Sequence, residues 1–89
     1  MPRVTVRLLG GMALPMPRQT LPLDLPAGAT VADLVRRLEE EFGVAGLGEN
    51  VAEHCLVAVN GTEVGHLGGW GIELPAGAVV SIVPAMVGG

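Results

Sequence analysis

Lysine and tyrosine are absent from this 89-residue chain, aromatic residues amount to Phe42 and Trp70, and there is one cysteine, Cys55. Each shortage removes a class of function. Without lysine, no side-chain amine here can accept an isopeptide bond. With two aromatics there is no stacking platform of the kind that binds single-stranded nucleic acid. Nine acidic residues against five arginines give a formal charge of −4, which repels a phosphate backbone and leaves no counterion-release term. Nucleic acid is therefore not expected as a direct partner. A single cysteine forms no internal disulfide, which argues against a stapled secreted mini-domain. No apolar run approaches the roughly 20 residues of a membrane span, and no basic-then-apolar leader opens the chain. The expectation is a cytoplasmic protein with no membrane partner.

What is present is aliphatic: 49% of residues are hydrophobic and 16% charged. A chain of this length makes one domain and buries only about 60–65% of the surface its unfolded form exposes, so Leu, Val, Ile and Met must serve a single core.

The patterning is legible in sequence order. "RVTVRLL" alternates Val4, Val6 and Leu8 with Arg3, Thr5 and Arg7, the period of a half-buried strand. "GGMALPMP" breaks regular structure, and "RQTLPLDL" alternates again, with Pro22 marking an edge or an irregular stretch. Thr30 and Asp33 then resemble a helix N-cap with an acidic partner three residues on. Val31, Leu34, Val35, Leu38 and Phe42 form an apolar stripe at helical spacing, and Gly43 sits at the expected C-cap. The outer face carries Arg36, Arg37, Glu40 and Glu41, spaced for pairing four residues apart. "VAGLGENVAEH" is too interrupted by glycine for a long helix, so a loop with one short helical turn is expected. "CLVAV" reads as a strand closed by Asn60-Gly61, a strong hairpin signal, with "TEV" returning. "AVVSIVP" is β-branched and continuous, as expected of a central strand covered on both faces. The echo of "LPAGATV" at 25–31 in "LPAGAVV" at 74–80 has no similar flanks, so it is one turn chemistry used twice and not a duplication.

This order predicts an α+β domain in which one main helix crosses one face of a mixed sheet, the β-grasp or ubiquitin-like arrangement. The β-grasp domain would occupy residues 1–84 and a flexible tail residues 85–89.

Catalytic constellations are missing from the pattern. His54, Cys55 and His66 lack paired metal-ligand spacing, so no metal is expected. Cys55 reads as a small buried apolar residue at the start of an apolar strand, and Ser81 lies inside another. The glycine pairs lack the Lys-Ser/Thr of a phosphate loop. The expectation is a protein that catalyses nothing alone.

The final stretch, "AMVGG", carries chemistry instead. Pro84 ends ladder bonding, and Ala85 to Gly89 form an arm with no charge before the terminal carboxylate. Glycines without Cβ let such an arm enter a narrow channel. A carboxylate is ionised at neutral pH and is a poor electrophile, so it must be activated, for example as an adenylate, before anything is transferred to it. Sulfur arriving from a persulfide would leave a thiocarboxylate.

Through "LVAVNG" at 56–61 and "LPAGAVVSIVPAMVGG" at 74–89, the chain resembles the MoaD/ThiS family of sulfur-carrier proteins, which includes the small subunit of molybdopterin synthase. The resemblance implies that Gly89 is adenylated by a ubiquitin-activating-like enzyme, converted to a thiocarboxylate, and then inserted into a sulfur-accepting synthase subunit. Gly88, Val87 and Met86 would be the tail residues that enter the partner's channel. It implies no bound cofactor, with ATP consumed by the activating partner. The molybdenum cofactor is the first pathway it suggests, followed by cysteine, thiamine, secondary-metabolite synthesis and tRNA thiolation. The alternative is a ubiquitin-like modifier conjugated through Gly89 to lysines of other proteins.

Overall fold

The computed structural model describes residues 3–9 and 19–84. Strand β1 (Arg3–Leu8) buries Val4, Val6 and Leu8 and pairs antiparallel with β2 (Gln19–Asp24). Strand β2 lies at the sheet edge, as Pro22 predicts. The backbone explains why proline is tolerated there. Thr5, opposite Pro22, donates its N–H to the Ala78 carbonyl at 2.9 Å, away from β2. Pro22 is then turned toward the open edge, where a missing donor breaks no ladder bond.

Helix α1 (Val31–Phe42) begins as its sequence predicts. The Thr30 hydroxyl accepts from the Asp33 N–H at 3.2 Å, and the Asp33 carboxylate accepts from the Thr30 N–H at 3.0 Å. Two further N–H groups of the first turn, on Val31 and Ala32, donate to the carbonyls of Ile72 and Trp70. The helix start is thus satisfied partly by its own cap and partly by a remote segment. Val31, Leu34, Val35 and Leu38 are buried, and Gly43 adopts the left-handed C-cap conformation. On the outer face Arg37 reaches Glu41 at 2.9 Å, whereas Arg36 turns back to Asp33 at 3.3 Å instead of reaching Glu40.

The capping carboxylate links stability to pH. The backbone N–H of Thr30, then its side chain, and Arg36 hold the Asp33 carboxyl below its usual value. Its contribution is present above the unfolded value of about 4 and disappears as pH falls through the lower folded value. Asp33→Asn is expected to flatten the fall in melting temperature between about pH 4 and pH 2; an unaltered acid limb in melts across that range would rule the cap out as a contributor.

The 44–54 region departs from expectation. A regular two-turn helix, α2 (Leu47–His54), stands where the sequence predicts a loop with one short helical turn, with Leu47 and Val51 fully buried one turn apart. Its N-cap is Gly46, which has no side chain to offer. The Glu39 carboxylate of α1 substitutes, accepting from the Gly48 N–H at 2.7 Å. A cap supplied from another helix leaves no trace in the local sequence.

Strand β3 (Cys55–Val59) turns through Asn60 and Gly61, both at positive φ (50° and 87°), into the short β4 (Thr62–Glu63). Two such residues in succession make the turn that matches strand twist. A 3-10 turn, Val64–His66, follows. Strand β5 (Val79–Pro84) lies at the centre of the order β2-β1-β5-β3-β4, parallel to β1 and antiparallel to β3. The repeated Pro-Ala-Gly-Ala segments are the same turn. In each, the second Ala N–H donates to the Pro carbonyl at 3.1 Å, with Gly28 and Gly77 at positive φ. The architecture is the expected β-grasp, α+β, with α2 added beside α1. Strand β5 corrects one expectation. Val80 and Ile82 are buried, but Val79 is 37% exposed, because among the described residues the core lies on one face of the sheet only.

Candidate functional site

Strand β5 is the element that leads to the chain's last residues, and its neighbours hold it on both sides. Leu9 donates to the Ile82 carbonyl at 3.0 Å, Leu56 lies opposite Val83, and Cys55 lies opposite Pro84. The other end is also anchored: the Asn60 side-chain carbonyl accepts from the Val79 N–H at 2.9 Å, and Asn60 donates its own N–H to the Val79 carbonyl. The strand is therefore a rigid base for whatever follows Pro84. Met86, Val87, Gly88 and Gly89, the residues predicted to work, lie outside the described residues, as does the 85–89 segment as a whole.

Beside β5, the sheet face turned away from the helices carries Val79, Ser81 and Val83, flanked by Leu56 and Ala58 of β3 and by Thr5 and Arg7 of β1. Leu56 is 50% exposed. This apolar strip with an adjacent cation escaped sequence reasoning because β5 is apolar at consecutive positions, so no alternation separates its two faces. The Arg3 guanidinium binds Asp24 at 2.9 Å on the same face, holding that carboxyl below its usual range through the hydrogen bond and the charge.

The remaining reactive groups are spread out. His54 ends α2, and Cys55 begins β3. Burial pushes the Cys55 thiol up, which keeps it protonated at neutral pH and makes it a weak nucleophile. Among the described residues, no three His, Cys, Asp or Glu side chains converge to hold a metal, and no helix is long and apolar enough to cross a membrane.

A family model described as the ThiS family matches residues 16–89, reaching through the Gly88-Gly89 pair. The chain belongs to the ThiS family. It is 46% identical over 66 residues to small archaeal modifier protein 3 of Haloferax volcanii, covering 68% of this chain and 71% of that protein. The solution structure of the HVO 2177 protein of Haloferax volcanii is similar with a TM-score of 0.77 at 30% identity, covering 99% of this chain and 87% of that one. Urm1 of Trypanosoma brucei shares the fold, with a TM-score of 0.68 at 22% identity over 99% of this chain and 96% of its own. This ThiS-family chain therefore has a ubiquitin-like β-grasp fold, and its neighbours include a protein named as a modifier.

Proposed function

We propose that this chain is a sulfur carrier whose working group is the Gly89 carboxylate. The observation that supports this most is the ThiS-family match running through Gly88 and Gly89 at the end of the segment that β5 leads into. Chemically, the carboxylate attacks the α-phosphate of ATP on an activating partner enzyme and expels pyrophosphate, giving an acyl adenylate. A persulfide sulfur then attacks the carbonyl carbon and expels AMP. Thiol reduction of the resulting acyl disulfide leaves the thiocarboxylate and an enzyme disulfide. A second partner, a sulfur-accepting synthase subunit, receives the tail, with Met86, Val87 and Gly88 in its channel. The carrier contributes no catalytic group and no bound cofactor of its own. Residues 1–84 act as the recognised domain and 85–89 as the delivered arm, in the cytoplasm. Molybdenum-cofactor synthesis is the first pathway to examine.

A second reading has its own support. The 46% identity to a protein named small archaeal modifier protein 3 favours conjugation of Gly89 to lysines of other proteins. Intact-mass spectrometry of protein from its native host separates the two. One oxygen-for-sulfur exchange located on Gly89 is the expected result for the carrier. An unmodified carboxylate, together with Gly-Gly remnants on lysines of other proteins, would replace that reading with the modifier.

A further inference from the structure

A groove of about 380 Å³ lies between the β3–β4 hairpin and the segment running from Leu67 to Pro75. We propose that it docks a basic segment of a partner protein, seating an apolar side chain on Leu67 and Ile72 and pairing an arginine or lysine with Glu73. The volume falls at the low end of the range typical of ligand sites. Its apolar lining is Val59, Leu67, Ile72 and Pro75.

The wall is preformed. Ile72 and Trp70 accept from Val31 and Ala32, Leu74 donates to Ala29 at 2.8 Å, and Leu67 donates to Val64 at 2.9 Å. Gly68 leaves the space Ile72 needs, since a Cβ there would lie 3.2 Å from the Ile72 Cγ2. Opposite, Asn60 is tied to Val79 by two hydrogen bonds. A wall fastened this firmly nonetheless leaves Leu67 42% exposed. Ordering costs at binding are correspondingly small.

Charge selects the occupant. Among the described residues, Glu73 is the only ionisable one in the lining, and it has no ion-pair partner. The cations Arg3, Arg36 and Arg37 pair with acids elsewhere, and Arg7 sits on the outer sheet face. The chain as a whole is acidic, at −4. A carboxylate beside an exposed leucine on an acidic protein favours a positively charged, aliphatic segment. The groove lies at the start of β5, about 17 Å along the strand from Pro84, so a partner held here does not cover the Pro84 end of that strand.

The test is amide chemical-shift mapping on the full ¹⁵N-labelled chain, titrated with an acetylated, amidated Leu-Arg-Leu-Arg peptide and with Leu-Glu-Leu-Glu as control. The expected result is shifts grouped at residues 59–62 and 67–75 with the basic peptide only. Glu73→Gln should weaken its affinity roughly two- to fivefold, and Leu67→Ser roughly tenfold. Glu73→Gln should melt as the parent does, and Leu67→Ser should lower the melting temperature by no more than several degrees, because Glu73 is exposed and Leu67 is 42% exposed. Removing Gly89 should leave the peptide titration unchanged, so failure of the carrier reading would not mimic failure of this one. No shifts in these segments, equal binding of both peptides, or shifts centred on Leu56 and Val79 would overturn the proposal. So would concentration-dependent shifts at the groove without peptide, which would make a second copy of the chain its occupant.

Discussion

Leu38→Ala is expected to lower the unfolding free energy by about 2–5 kcal/mol. Leu38 is fully buried on α1, in a core that also takes Val31, Leu34 and Val35 from the same helix, Val6 and Leu8 from β1, and Val80 and Ile82 from β5. Truncation removes three buried carbons, the Cγ methine and two methyls, and leaves a cavity that close-packed neighbours fill only partly. For a small domain with roughly 5–15 kcal/mol of stability, that is a large fraction of the total. At roughly 4–8 °C per kcal/mol for a chain of this size, the shift is easily read in a thermal melt. Leu56→Ala supplies the contrast: a leucine 50% exposed on the far face of the sheet should cost roughly 1 kcal/mol or less. Similar losses for the two would mean that the outer face is covered in solution.

Removal of Gly89 is expected to abolish sulfur transfer while leaving the melting temperature almost unchanged. The described core runs from Val4 to Ile82, and a glycine brings no side chain to it. On the proposed chemistry the loss is not a matter of degree. Without Gly89 the carboxylate is displaced by about 3.5 Å along an extended arm and carried on Gly88, out of register with the activating site. Reconstituted activation, read as ATP-dependent pyrophosphate release and thiocarboxylate mass, should fall to background. Transfer at the parent rate would refute Gly89 as the sulfur-bearing residue. A large drop in melting temperature would instead place the terminal residue in the folded core.

Local signals in this chain carried far where the relevant partners are neighbours in sequence. Thr30 and Asp33 are three residues apart, and their reciprocal bonds form where the spacing places them. Asn60-Gly61 makes its hairpin because the turn needs only those two backbone conformations. The Leu34, Val35 and Leu38 stripe fixes which face of α1 turns inward. Helix α2 was not legible for the opposite reason. Its N-terminus opens on glycine, and the capping carboxylate comes from Glu39, nine residues before Gly48 and on another helix.

By itself, the sequence determined a β-grasp element order, a core drawn from aliphatic side chains, an acidic surface without lysine, and a Gly-Gly pair reached by the family match. Those follow from short-range periodicity, turn chemistry and composition. Tertiary structure alone decided which face of β5 is open, that α2 is helical, and that Leu67, Ile72 and Glu73 converge on one groove. Each of these depends on groups on different elements that meet only by folding. An apolar strand shows its open face only once helices have covered the other, a borrowed cap acts only after packing, and a groove exists only when its two walls meet.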